Sequence, residues 1–220
     1  MVSSKFISVL LIFISLSWFQ GDMKFKKVKF KNGYQFNSEI EEKTAKATEA
    51  WKYQISAADY ASKGDYKNAL AQWDLAFPVR ERSYAQSEVD SLHELYRTAD
   101  AKAYIIEQAK QKQVMIINEA HHNPSHRMFT KSLLQALYDN GYKNLGLEAL
   151  ANEQKESNSL QTLKYAVKTS GYYTTDPQFG DLIRTALEIG YHVFPYEQTE
   201  NKDGKEREIA QAKNIQTMIE

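Results

Sequence analysis

Cysteine is absent from the 220 residues. That excludes disulfides and lipid attachment through a thiol, so a secreted chain of this composition must hold itself by packing or by binding a ligand. An excess of either charge is missing too, since Lys plus Arg and Asp plus Glu each number 28. Nucleic-acid binding normally leaves a basic footprint, which excludes that partner class here, and the balance argues equally against a strongly acidic or basic substrate. There is no glycine-rich phosphate loop, no GxSxG serine elbow and no HExxH metalloprotease helix. What remains is 42% hydrophobic and 25% charged, the composition of a globular protein with one good core and a smaller appendage.

One apolar run, Phe6 to Phe19 behind Lys5, is long but shorter than the roughly 20 residues of a membrane span. Residues 1–22 are expected to be a secretory signal peptide cleaved around Ser17 to Met23, or else an uncleaved anchor. The location expected is secreted or periplasmic, with attachment at the outer face of a membrane in the anchored case. Residues 22–38 interleave Lys24, Lys26, Lys27, Lys29 and Lys31 with Phe25, Val28, Phe30 and Tyr34, a short edge strand or a tether.

Residues 38–110 read as a helical region. Ala50 to Pro78 resembles a tetratricopeptide helix pair through Tyr53, Tyr60, the turn Gly64-Asp65-Tyr66, Ala69, Trp73 and Ala76. Small residues let two helices approach while aromatics fill the groove. A lone pair cannot bury its apolar face unaided, so it is expected to pack on a helix over Ser87 to Lys112 and on the following region. The alternative use of the same surface is a protein partner. His93 reads as a surface or interhelical residue.

Residues 112–220 alternate strand and helix. Strands are expected at Val114 to Glu119, Asn144 to Glu148 and Tyr191 to Tyr196. Helices are expected over Met128 to Tyr138, with Ser125 as its cap and Phe129, Leu133, Leu134 and Leu137 on one face, then over Ser159 to Lys168, Phe179 to Ile189 and Glu206 to Ile219. Tyr172 and Tyr173 fall in an aromatic loop. The fold class is α/β, an incomplete three-layer domain with a mainly parallel sheet, preceded by an α-helical region.

Glu119, Glu148 and Glu197 each end an apolar strand core, and ligands in parallel α/β sheets bind outside the carboxyl ends of strands. Converging carboxylates repel, which raises the pKa of at least one and suits it to general acid or base work. A divalent cation held by Glu119, His121, Glu148 and Glu197 would relieve the same repulsion. His121, two residues after Glu119, is the first choice for a catalytic base or ligand. His122 can point away, and His126 is either a second ligand or a polar group near a helix start.

The stretch Ile116 to Arg127, followed by Gly146-Leu147-Glu148, resembles the superfamily of erythromycin esterase-like enzymes, ChaN-like haem-binding lipoproteins and Tiki proteases. Members show a strand ending in Gly-Glu-x-His, then a helix, then a strand ending in Glu. Glu119, His121 and Glu148 match these motifs, and Asn118 stands in place of the glycine. The last helix resembles the segment that places an arginine and an asparagine, here Arg207 and Asn214, near the pocket. Three functions are implied. An extracytoplasmic hydrolase would cleave an ester or related bond, with His121 as general base, Glu119 orienting it and Glu148 opposite. A Tiki-like site would hold a divalent metal. A carrier would engage haem through His122, His126, Tyr172 and Tyr173. The family pattern continues past the last helix with further strands and another histidine, so a truncated, inactive domain with a helical partner-binding surface is a further expectation.

Overall fold

Helix capping sets the boundaries of the first region. The computed structural model describes residues 34–78, 82–152 and 159–219. The expected leader at 1–22, the lysine-rich residues up to 33 and most of the polar loop at 151–160 lie outside them. Helix α1 (Asn37–Lys46) opens where the Glu39 side chain accepts the Phe36 N–H at 2.8 Å. Helices α2 (Lys52–Ser62) and α3 (Tyr66–Ala76) form an antiparallel-type hairpin around a tight turn. Gly64 adopts φ +81° there, a backbone state that a side chain disfavours, and Asp65 caps α3 by accepting the Asn68 N–H at 3.3 Å. Ile40, Tyr60, Ala61 and Ala69 are buried together. The hairpin is therefore covered by α1, on its N-terminal side in sequence, rather than by the helix expected after it.

That later helix is two. Helix α4 (Gln86–Leu95) stops at Tyr96, whose backbone is extended, and α5 (Ala101–Ala109) restarts where Asp100 accepts the Ala103 N–H at 2.7 Å. The apolar spacing runs through the break because periodicity does not register a capping aspartate that competes for the backbone. No residue of α4 is buried, and Leu92, Leu95 and Tyr96 stand exposed.

The α/β part is smaller than expected. Helix α6 (Ser125–Asp139) buries Arg127, Leu133, Leu134 and Leu137, while Phe129 lies off that face and is exposed. Asn123 supplies the acceptor for the Ser125 N–H at 3.2 Å, so Ser125 is the first helical residue and not its cap. Strand β1 (Asn144–Leu147) pairs in parallel with β2 (His192–Pro195) in the register Leu145 to Val193 and Gly146 to Phe194. Alternation turns Leu145, Leu147 and Val193 toward α6 and α8 (Pro177–Ile189), where Leu134, Leu182, Ile183 and Ala186 complete the main core. On the other face Gly146 gives room to Phe194, since a Cβ there would lie 2.9 Å from the ring. Between the strands come α7 (Leu160–Leu163), ended early by Lys164 at φ +62°, and a 3₁₀ turn at Lys168–Ser170. The last element is α9 (Gly204–Ile219).

Val114 to Glu119 is not a strand. It joins no ladder, and Val114, Ile116 and Ile117 are exposed, with only Met115 packed on Ala109, Leu133 and Leu137. An apolar β-branched run shows a preference, but a strand needs a partner's backbone groups. Here the Tyr142 hydroxyl lies 2.9 and 2.6 Å from the carbonyl oxygens of Ala109 and Lys112, its one hydrogen serving either acceptor, and so tethers the preceding turn. The result is an α-helical region preceding an incomplete α/β domain with a two-stranded parallel sheet, and Gln35–Glu220 packs as one compact unit. No helix among the described residues is long and apolar enough to cross a membrane.

Candidate functional site

The loop between α5 and α6 is shaped by its own polar side chains. Asn123 N–H donates to the Ala120 carbonyl at 2.8 Å, and Ala120 N–H donates to His126 Nδ1 at 3.1 Å. His126 is thus engaged with the loop backbone and with Asn123. This fold-back leaves His121 and His122 side by side in sequence but facing different neighbours. His121 stacks on Tyr173 with ring centroids 4.7 Å apart, and His122 lies flat against Trp73 of α3 at 4.0 Å and 9°. His122 Nδ1 is buried without a partner, and burial followed by the nearby His126 holds its pKa below the ordinary imidazole range.

Glu119 sits within reach of His121, Nδ1 to Oε1 being 3.5 Å. Its position is set by Arg127, which is 1% exposed and donates from Nη2 to Glu119 Oε1 at 2.5 Å and to the His121 carbonyl at 3.0 Å. On its other arm, Arg127 Nη1 lies 2.8 Å from Asp176 Oδ2, an ion pair whose N–H direction misses the acceptor. The guanidinium packs over Phe179, 4.8 Å from the ring centre. Burial pushes the Glu119 carboxyl up, but the hydrogen bonds from His121 and Arg127 outweigh it and hold the group below its ordinary value. It is ionised at neutral pH. Asp176 has the opposite balance: burial dominates over Arg127 and raises it.

Across the cleft stands a second cluster. Arg207 on α9 bridges Glu148, just past β1, and Glu197, just past β2. Its Nε also donates to Glu197 Oε1 at 3.2 Å, and Gln211 donates to Glu197 Oε2 at 2.9 Å. Asn214 donates to the Tyr196 carbonyl at 3.0 Å, so Arg207, Gln211 and Asn214 face the strand ends from one side of α9, as their spacing of four and then three residues requires. Burial raises Glu197, yet the hydrogen bonds from Arg207 and the Gln198 amide win and lower it.

His121, Glu148, Glu197 and Arg207, together with Tyr172 and Tyr173, line a cleft of about 680 Å³. Gly171 makes the aromatic wall possible. Leu150 and Gly171 form an antiparallel bridge, and a Cβ at residue 171 would lie 2.1 Å from the Ala149 carbonyl oxygen. The structure thus gathers His121, Glu148, Glu197, Tyr172, Tyr173 and Arg207 around one space, with Glu119 held against His121 but outside the lining, while His122 and His126 turn to other contacts. Glu119 gets there from an irregular segment, not a strand end. The four residues expected to hold a metal are not gathered as ligands. Among the described residues no three His, Asp or Glu side chains form a metal-binding group, and arginines sit on the carboxylates instead. The residues present therefore do not fit a metal. Of the residues expected to engage haem, Tyr172 and Tyr173 line the cleft, whereas His122 stacks on Trp73 and His126 is engaged on its own loop.

Arg127 and Asp176 escaped the sequence reading. Each had a legible signal: Arg127 lies seven residues before Leu134 and so on the buried stripe of α6, and Asp176 precedes Pro177 as a helix cap would. Compared with known protein families, curated proteins and solved structures, the chain matches none.

Proposed function

We propose that the chain is an extracytoplasmic hydrolase-like protein that cleaves an ester or related bond by general acid–base chemistry at His121. The observation that carries this reading is the Arg127–Glu119–His121 relay at the edge of the large cleft. An ionised Glu119 accepts the Nδ1–H of His121 and orients the ring, which leaves Nε2 to take a proton from water. The 3.5 Å separation is long for a hydrogen bond, as catalytic contacts often are before substrate binds. The water oxygen bonds to the acyl carbon, the tetrahedral intermediate collapses with cleavage of the acyl–oxygen bond, and His121 returns the proton to the leaving alcohol. Arg207 also lines the cleft, with Glu148 and Glu197 holding its fork in place, so that it orients the polar half of a substrate. The resemblance of Glu119, His121 and Glu148 to erythromycin esterase-like motifs supports the same assignment. The apolar leader supports the location, which cell fractionation with an antibody to the chain tests.

The experiment is hydrolysis of p-nitrophenyl acetate by the full chain beside His121→Ala and Glu119→Gln, with circular dichroism as the folding control. The expected loss is about a hundredfold or more in His121→Ala, the range of a lost general base. Wild-type rates in both folded variants would end the proposal. Tyr172, Tyr173 and His121 together also favour a haem carrier as a second reading. A Soret shift on haem addition that disappears in Tyr173→Phe, without any ester hydrolysis by the wild type, would put it first.

A further inference from the structure

His121, Tyr172 and Tyr173 belong to more than the carboxylate-lined cleft. They also line a neighbouring cleft of about 280 Å³ whose other walls come from the helical hairpin: Trp51, Gln54, Ile55, Ala58, Trp73 and His122. The two spaces meet at His121 and differ in chemistry. One holds Glu148, Glu197, Lys168 and Arg207. Among the described residues, the other has no carboxylate, lysine or arginine in its wall. We propose that the hairpin cleft is the binding site for a flat, uncharged ring, and that the substrate is an ester joining such a ring to a polar half seated among the carboxylates.

Several observations bear on the ring. The Trp73 indole is held flat by the parallel His122 ring at 4.0 Å, a preformed planar wall. Trp51 and Tyr172 are large aromatics left 54% and 71% exposed, apolar area that a stacked ligand removes from water. A charged ligand group would find no counter-ion in this wall. The volume lies just under the range of pockets for drug-sized ligands, so it takes a small ring system and not a macrocycle. His121 borders both spaces, which puts the bond between the two halves at the proposed base. Hydrolysis there is balanced: the water oxygen and one proton complete the acid, and the other proton completes the alcohol.

The identity of the bond rests on the hydrolase reading, whereas ring binding does not. The test is therefore calorimetric binding of 1-naphthol to the full chain, with choline chloride as the cationic comparison, since aromatic walls also attract cations. The expected result is 1-naphthol binding that weakens at least tenfold in Trp51→Ala and in Trp73→Ala and is partly restored in Trp73→Phe. Absence of 1-naphthol binding to the wild type, wild-type affinity in both tryptophan variants, or choline binding as tightly would overturn it. Because Trp51 is exposed, its variant tests the cleft even if Trp73→Ala unfolds. Failure of p-nitrophenyl acetate hydrolysis with 1-naphthol binding intact would remove the hydrolase reading and leave the ring site standing.

Discussion

Two arginines each grip a pair of carboxylates, and they differ in how much water reaches them. Arg127 is 1% exposed and holds Glu119 and Asp176 beneath the cleft, whereas the Arg207 side chain is 39% exposed and holds Glu148 and Glu197 at its wall. The same guanidinium chemistry therefore does two jobs. In the low-dielectric interior, losing one partner strands the others without solvation, so Arg127 acts on the fold and on the pose of His121. At the wall, water screens the pair, so Arg207 adds little stability and is instead placed to meet a ligand.

The largest test of that contrast is Arg127→Leu. It leaves Asp176 buried and unpaired, with an expected loss of about 3–5 kcal/mol in urea denaturation. Adding Asp176→Asn is expected to recover part of it, because the amide needs no counter-ion and its oxygen still accepts the Gln178 and Phe179 N–H groups that cap α8. A single-variant loss no greater than that of an exposed residue would erase the distinction.

Acid titration sharpens it next. Glu119 is lowered from its ordinary 4.5, because bonds from His121 and Arg127 outweigh burial. The unfolded chain binds that proton more tightly, so the stability Glu119 contributes is complete above 4.5 and disappears as pH falls through the lower folded value. Asp176 is raised from 3.8 by burial, so its contribution is complete below 3.8 and is lost as pH rises through the folded value. Denaturation midpoints measured from about pH 3 to 6 are expected to fall toward acid less steeply in Arg127→Leu than in the wild type, since the bond that lowers Glu119 is gone. An unchanged slope would mean that Arg127 does not set the Glu119 titration.

Arg207→Ala comes third, with a loss of about 0.2–1 kcal/mol expected for a partly exposed ion pair. Its larger effect should be on chemistry. With the cation gone, Glu148 and Glu197 face each other, and the acid limb of the p-nitrophenyl acetate profile is expected to move to higher pH. A large drop in melting temperature with an unmoved profile would contradict the assignment. The smallest effect is that of salt: raising sodium chloride to about 0.5 M is expected to take a few tenths of a kcal/mol more from the wild type than from Arg207→Ala, because the other exposed ion pairs, such as Lys46–Glu42 and Arg82–Glu88, are screened equally in both.

Much of the helical layout was legible because it is local. The turn at Gly64 and Asp65, the helix over Pro177–Ile189 with its glycine end, and strands at Asn144–Leu147 and His192–Pro195 follow from caps, glycines and short apolar runs. The site residues at the ends of these strands, Glu148 and Glu197, were legible for the same reason. Val114 to Glu119 was misread because its sequence has strand preference but its pairing is a long-range event. The break at Tyr96 was missed since Leu92, Leu95, Ala99 and Ala103 keep helical spacing across it. His122 and Trp73 lie far apart in sequence, so nothing local showed that they stack.

Most of the turns, caps and buried stripes lie in local stretches of the chain, and so do Glu119, His121, Glu148, Glu197 and Arg207, the polar groups worth following. Local free energies of caps, glycines and apolar spacing suffice for that. Folding alone brings Arg127 to Glu119, joins Arg207 to Glu148 and Glu197, and sets the aromatic wall of the hairpin beside His121. Those pairings depend on distances through space between residues far apart in the chain, and electrostatics and stacking act on those distances and not on sequence separation.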